Sequence, residues 1–354
     1  WLRLRYLTRR GLGQMRVLPA VALLCGLAAG LRTGVDSKPD KAEGKHRSPR
    51  RCKKHCGPDD LVLIHVPYNF GHAVELAALL PVVPSMRQGL NGQKNSRANQ
   101  MTTAKITWTE VNVMKLMKPD AEVWGHFNPD LNVVSSATGC PMYYSPPKYW
   151  PRELAEMYFQ NKTRFGMLRD PYERLNSFFR GGFDGYGGNY PEYFKNCDVN
   201  SAVKEMMKDV LEKNDKFKDG CTFLPQAEYF DGEFGINLPI DNRRFPSSLQ
   251  KVFDKYGYNI HMNPDSIPHV RGCDTAWSGD FDNETKALVK KVYARDFELL
   301  CKHFNHCDDN EEVCIPEVPY MCPLDKFKWD EKTKRYRKKL ESEAMDLTKA
   351  TALQ

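Results

Sequence analysis

Short apolar runs alternate with amphipathic stretches along the middle of the chain. Residues 61–66 form an apolar, β-branched run that ends at Pro67, and an apolar helical pattern follows over residues 73–80. Residues 164–168 form a second run, which stops at Arg169 and passes into a helical pattern through Phe179. Short runs of this kind predict buried strands, and the longer amphipathic stretches predict helices. Alternating strands and helices indicate an α/β fold with a central, mostly parallel sheet flanked by helices.

The same pattern predicts elements further along the chain. Residues 122–124 are expected to form another strand, which ends at Gly125-His126-Phe127. Helices are expected over residues 151–160, 202–213, 247–256 and 285–304. The charged segment 326–339 contains three aromatic residues, and we expect a solvated helix that packs them on the body rather than a nucleic-acid-binding arm.

Length and composition indicate a globular protein with appendages. The 354 residues are 41% hydrophobic and 27% charged, which excludes a disordered, collagen-like or multi-span membrane protein. The chain divides into a basic segment with a signal peptide or signal anchor (1–32), a polar basic stem (33–58), one folded domain (59–325) and a charged tail (326–354).

The net charge of +7 is distributed unevenly. Residues 1–56 contain 14 Lys or Arg against 3 Asp or Glu, and residues 326–354 contain 9 against 5, so residues 57–325 have a net charge of −8. A protein that binds nucleic acid is expected to carry its positive excess on the folded body. The acidic body therefore argues against nucleic acid as a partner and restricts any anion site to a local cluster.

Cysteines and glycosylation sequons indicate a secretory route. Ten of the 11 cysteines follow the apolar N-terminal run, which permits five disulfides, although the sequence does not determine their pairing. Asn161 and Asn283 each begin an Asn-X-Thr sequon. Two groups have metal-like spacing, Cys52 with Cys56 and His303 with His306 and Cys307, but disulfides explain such cysteines better and we predict no metal site.

A targeting segment precedes the stem. Residues 17–31 carry no charge and lie between Arg16 and Arg32. This length suits the core of a signal peptide better than a membrane span of about 20 residues. Both a cleaved signal peptide and a short type II anchor stay open, giving a secreted protein or a membrane-anchored protein of the Golgi lumen. The sequence opens with Trp1, and Met15 is a sensible initiator.

The most specific chemistry begins at Arg169. Arg169 follows a strand, and Ser177 comes eight residues later on the next helix, which Asp170 can cap and Pro171 can begin. A guanidinium and a hydroxyl in this arrangement can hold one phosphate from two sides. The alternative is a capped helix with surface arginines.

This Arg-Asp-Pro stretch, with Arg174 and Ser177, resembles the site for the 3′-phosphate of the sulfate donor PAPS (3′-phosphoadenosine 5′-phosphosulfate) in Golgi carbohydrate sulfotransferases related to the heparan sulfate 2-O-enzymes. Further landmarks of that family match in order at residues 63–67, 125–127, 223–226 and 293–298. The resemblance spans about residues 60–305. It implies a P-loop-NTPase-like three-layer fold, PAPS as cofactor and a glycan or proteoglycan acceptor. The acidic body suggests an acceptor less anionic than heparan.

The loop after the first strand departs from the family pattern. The family's Pro-Lys-Thr-Gly-Gly-Thr-Ser segment, which binds the 5′-phosphosulfate, matches Pro67, Tyr68, Asn69, Phe70, Gly71, His72 and Ala73. The lysine is thus replaced by Tyr68, whereas backbone N–H groups near Gly71 and a protonated His72 can still donate to an anion. Three cations of the next polar segment are candidates to replace the lysine: Lys94, Arg97 and Lys105.

His126 is the candidate general base. An imidazole titrates near neutrality, and the resemblance gives the matching histidine this role. Three functions stay open: a PAPS-dependent sulfotransferase, a degenerate relative that binds nucleotide or glycan without turnover, as Tyr68 suggests, and a disulfide-rich interaction protein with no nucleotide site.

Overall fold

The computed structural model describes residues 60–79, 107–180, 191–264, 273, 275–311, 313–333 and 335–339. The predicted targeting segment and the stem lie outside these residues. Across the described ranges, no helix combines the length and the apolarity that a membrane crossing requires.

Three parallel strands form the central sheet, in the spatial order β1 (Leu61–Leu63), β2 (Thr163–Leu168) and β3 (Leu238–Asp241). The side chains of β1 are all buried, and those of β2 are buried from Phe165 onward. The N–H of Ile64 also donates to the carbonyl of Phe165 at 2.8 Å, which extends the pairing beyond β1. These strands confirm the predicted α/β class with a parallel sheet.

Helices flank this sheet: α1 (Gly71–Leu79), α2 (Trp108–Met117), α3 (Arg152–Phe159), α4 (Pro171–Arg180), α5 (Pro191–Asn196), α6 (Val199–Lys213), α7 (Ser247–Lys255) and α8 (Asn283–Phe304). A short segment, Lys218–Cys221, has a helical hydrogen bond but left-handed backbone at Asp219 and Gly220. The helices predicted from the pattern correspond to α1, α3, α4, α6, α7 and α8. Two of them start earlier than predicted because Asp198 and Asp282 cap the first turns of α6 and α8.

The strand predicted at residues 122–124 is wrong. This segment is extended but carries no strand ladder in the described part of the sheet, and the N–H of Glu122 donates to the carbonyl of Ala78 at the end of α1. Trp124 is buried and packs against Phe165, with ring centroids 5.3 Å apart. Burial alone therefore produced the apolar pattern. The third strand is instead β3, which the sequence analysis missed.

The charged tail also differs from the prediction. Two antiparallel strands, β4 (Phe327–Asp330) and β5 (Arg335–Lys338), pair there in place of a helix. Trp329 pairs with Tyr336 across the two strands, their ring centroids 5.0 Å apart, and such aromatic pairs stabilise hairpins. Phe327 packs against Trp277 of the body.

Four disulfides link the described residues: Cys140–Cys221, Cys197–Cys273, Cys301–Cys307 and Cys314–Cys322. They indicate an oxidising, secretory-type compartment, as the sequence predicted. Cys307 is thus engaged in a disulfide and not in the alternative zinc group with His303 and His306. Cys52 and Cys56 lie outside the described residues.

Candidate functional site

The carboxyl ends of the three strands meet at one edge of the sheet, where ligands of open α/β folds bind. Gln226 links two of the predicted segments at this edge. Its side-chain oxygen accepts from the N–H of Arg169 at 2.9 Å and from the side-chain amide of Asn69 at 2.6 Å. Its amide donates in turn to the carbonyl of Arg169 at 2.7 Å. The loop after β1 and the end of β2 are therefore fastened together.

Arg169 lies where the sequence placed it, at the end of β2, but its side chain points into the protein. The guanidinium is 1% exposed, donates to the carbonyl of Tyr68 at 2.6 Å and pairs with Glu173 at 3.2 Å. It also lies over the ring of Phe70, 4.9 Å from its centroid. Its Nε has no hydrogen-bond partner among the described residues. Arg169 thus braces the loop predicted to hold the 5′-phosphosulfate.

Glu173 was not singled out from the sequence, although it completes this site. Burial raises the pKa of its carboxyl to about 6, against the opposing effect of Arg169 and Arg180. Residues four apart share one face of a helix, so Glu173 lies on the same face of α4 as the half-buried Ser177. Glu173 therefore pairs with the guanidinium of Arg169 and lies one helical turn before Ser177.

Arg174, the second arginine of the motif, binds the main chain. It donates to the carbonyls of Pro67, Leu224 and Thr222 at 3.0, 3.1 and 2.7 Å. The loop after β1 is thereby held against the segment that precedes Gln226. The predicted helix cap is also present, because the Asp170 carboxylate accepts from two N–H groups of the first turn of α4.

The loop itself is shaped by aromatic residues. Tyr68 and Phe70 have left-handed backbone, with φ of 64° and 63°. The ring of Tyr68 packs against Phe178, and the ring of Phe70 stacks on Phe245 at a centroid distance of 4.6 Å. Tyr68, at the position that matches the lysine of the sulfotransferase pattern, therefore packs its side chain against α4.

A buried carboxylate joins three histidines beside this loop. Glu75 of α1 contacts Nδ1 of His65 at 2.5 Å and Nδ1 of His72 at 3.0 Å. The backbone N–H of His126 donates to the same carboxylate at 3.1 Å. Burial alone raises the pKa of Glu75, but the two adjacent imidazoles outweigh it and lower that pKa to about 2. Because an ionised carboxylate only accepts, both imidazoles donate through Nδ1.

Two glycines make room for this cluster. A Cβ on Gly71 would lie 2.4 Å from Nε2 of His65, and a Cβ on Gly125 would lie 1.6 Å from the carboxylate of Glu75. Gly125 also has a left-handed φ of 50°, which a glycine adopts without strain. The glycine of the Gly-His segment is thus required by the approach of Glu75.

His126 lies next to the loop, although not at a strand end as predicted. It belongs to a 3₁₀ turn (Gly125–Phe127), and only 5% of the residue is exposed. Its ring centroid lies 5.5 Å from that of His72 and 5.3 Å from that of Tyr143. The predicted base and the predicted phosphosulfate loop are therefore neighbours.

Sequence reasoning missed His65, Glu75, Tyr143 and Tyr144, which complete the cluster. The available signal was the spacing of His72 and Glu75, three residues apart on one helix, just after a histidine that interrupts an apolar strand. The three candidate cations Lys94, Arg97 and Lys105 lie outside the described residues.

No protein-family model matches the chain, and neither a curated protein nor a solved structure does so.

Proposed function

We propose that the protein is a lumenal sulfotransferase that moves a sulfuryl group from PAPS to a hydroxyl of a glycan, on a P-loop-NTPase-like three-layer fold. One observation carries the proposal: residues 67–73, His126 and Arg169, far apart in sequence, lie at one edge of a parallel sheet. Hydrogen bonds through Glu75 and Gln226 connect all three. Anchoring in the Golgi membrane through residues 17–31, or secretion, belongs to the same proposal.

The reaction assigns a role to each group. The acceptor oxygen attacks sulfur, the bond between sulfur and the bridging oxygen breaks, and its electron pair leaves with the 5′-phosphate of the nucleotide. The proton of the acceptor passes to the imidazole of His126. As in phosphoryl transfer, positioning and stabilisation of the developing negative charge supply most of the rate enhancement.

The 3′-phosphate of the donor would bind Arg169 and Ser177. Because Glu173 is paired with Arg169, the phosphate has to displace a carboxylate from the guanidinium. Charge-assisted bonds from Arg to phosphate resemble those from Arg to carboxylate, so this exchange replaces one anion by another. Glu173 thus keeps Arg169 paired in the free protein.

A second candidate is a relative that binds nucleotide or glycan without turnover. The aromatic loop favours it, since residues 67–73 contain no Lys or Arg. Loss of a fixed cation beside the leaving phosphate costs several kcal/mol of transition-state stabilisation, on the order of 3 kcal/mol, unless another cation replaces it.

The test is transfer of labelled sulfate from PAPS to a panel of glycans. We expect transfer by the wild-type chain and a loss of about 100-fold or more for His126→Gln, because the variant has no general base. His261→Gln is the control, since His261 is exposed and lies outside the cluster. Absence of transfer with retained nucleotide binding would favour the second candidate, whereas unchanged transfer by His126→Gln would remove the proposed base.

A further inference from the structure

The cluster of His65, His72 and Glu75 has the composition of a metal site. Each residue offers one ligand atom, and these three atoms all lie within 4.8 Å of one another. Two imidazoles and one carboxylate are the protein ligands of several catalytic zinc sites. The three residues come from the end of the β1 segment and the first turns of α1, which follow each other in the chain.

The distances between Glu75 and the two imidazoles are those of hydrogen bonds, in which protons occupy the place that a metal ion would take. Tetrahedral zinc with bonds of about 2.0–2.1 Å separates neighbouring ligand atoms by about 3.4 Å. The observed distances from Glu75 to His65 and His72 are 2.5 and 3.0 Å, which are hydrogen-bond distances. These contacts use the two different oxygens of the Glu75 carboxylate, and a metal ion that binds here would replace the shared protons.

The surroundings fix the ligands in place. Nε2 of His72 bonds the hydroxyl of Tyr144 at 2.7 Å, the type of outer contact that orients metal-binding imidazoles. His65 packs against the ring of Tyr144 and against Gly71. The side chains of His65 and Glu75 are 2% and 0% exposed, whereas that of His72 is 28% exposed. Among these three ligands, His72 is therefore the one that a metal ion can reach from solvent.

We propose that His65, His72 and Glu75 bind one zinc ion. The site has three protein ligands, so a fourth position stays open for water or for an oxygen of a ligand. The ring of His126 lies beside it, its centroid 5.5 Å from that of His72. The zinc also supplies the positive charge that Tyr68 does not supply to the leaving phosphate, a role that rests on the proposed function.

Cobalt and zinc titrations of the full chain test this site. After treatment with a chelator, the wild-type protein is expected to take up one Co²⁺ with the visible absorption of tetrahedral cobalt, and Zn²⁺ should then displace it. His72→Ala and Glu75→Gln should each weaken binding by about 100-fold or more, and Tyr144→Phe by about 10-fold through loss of the outer contact. His261→Ala should bind like the wild type.

Separate controls distinguish a loss of folding from a loss of metal binding, and the zinc site from the proposed function. Glu75→Gln disturbs a buried group that accepts three hydrogen bonds, so His72→Ala, at the partly exposed ligand, provides the second variant, and thermal unfolding establishes that it folds. No cobalt absorption by the wild type, or undiminished absorption by the folded His72→Ala, would overturn the site. Titration of metal-free protein with 3′-phosphoadenosine 5′-phosphate tests the nucleotide site independently: nucleotide binding without metal uptake refutes the zinc site alone, and metal uptake without nucleotide binding refutes the proposed function alone.

Discussion

At the scale of single residues, the ion pair of Arg169 and Glu173 decides how an anion can reach the edge of the sheet. Both side chains are 1% exposed, and one oxygen of Glu173 has no hydrogen-bond partner in the part of the chain that the structure describes. Removing one member of a buried pair leaves the other uncompensated, at a cost of about 3–5 kcal/mol. A substitution that keeps the shape and removes only the charge is therefore the informative one.

Glu173→Gln should strengthen binding of 3′-phosphoadenosine 5′-phosphate, by about 10-fold near pH 7.5, because the phosphate no longer competes with a carboxylate. Glu173 has a pKa of about 6 in the folded protein, so wild-type Glu173 is ionised above this pH and protonated below it. The advantage of the variant should consequently disappear as the pH falls below about 6. Calorimetric titration of both proteins across this pH range measures the difference in affinity. Protonation of the nucleotide itself affects both proteins equally. Equal affinities at every pH would contradict the competition.

The sequence analysis predicted Arg169 and Ser177 as a phosphate site but did not foresee the carboxylate of Glu173 that pairs with Arg169. A motif shows which groups follow a strand, whereas the direction of a buried side chain depends on neighbours such as Tyr68 that only the folded chain supplies. For the same reason the hydrogen bond from the backbone N–H of His126 to Glu75 was not foreseen.

At the scale of elements, the site depends on two turns that come together, the loop after β1 and the 3₁₀ turn with His126. Gly125 allows the second turn to approach Glu75, and its positive φ adds a second requirement for glycine. Gly257 provides a matched control, since it is exposed, has a φ of 72° and has open space where a Cβ would lie.

Gly125→Ala should lower the free energy of unfolding by about 2 kcal/mol more than Gly257→Ala, which should cost about 1 kcal/mol for the backbone alone. The difference arises because only the first substitution places a methyl group against the carboxylate of Glu75. Urea unfolding of both variants provides the measurement. Similar losses for the two would show that the turn and α1 are not in close contact.

Element types followed from the apolar pattern, but strand pairing did not. The 122–124 segment ends in the buried Trp124 and was taken for a strand. In contrast, Pro239 lies within β3 and argues against a strand in the sequence, because proline cannot donate to a ladder and is confined to edge positions. In the fold β3 pairs only with β2 in the described sheet, so Pro239 is tolerated.

At the scale of the whole molecule, disulfides connect parts of the chain that the sheet does not. Cys140–Cys221 closes a sequence separation of 81 residues, whereas Cys301–Cys307 closes only 6. Their existence was predictable from the cysteine count and compartment, but their pairing was not, because ten cysteines allow many connectivities.

Replacing both Cys140 and Cys221 by Ala should lower the free energy of unfolding by about 4 kcal/mol, and replacing both Cys301 and Cys307 by about 2 kcal/mol. The longer loop costs more because its closure removes more chain entropy from the unfolded state. Denaturant unfolding under non-reducing conditions compares the two double variants. A larger loss for the short loop would contradict the entropic account.

The central claim is that the edge formed by Arg169 and Ser177 recognises a nucleotide through its 3′-phosphate. Calorimetric titration with 3′-phosphoadenosine 5′-phosphate and, as the matched control ligand, adenosine 5′-phosphate tests it most directly. We predict that the first nucleotide binds at least about 10-fold more tightly and that Ser177→Ala reduces this preference, since a hydrogen bond to a charged group contributes about 1.5–3 kcal/mol. Equal affinities for the two nucleotides, or no binding of either, would contradict the claim.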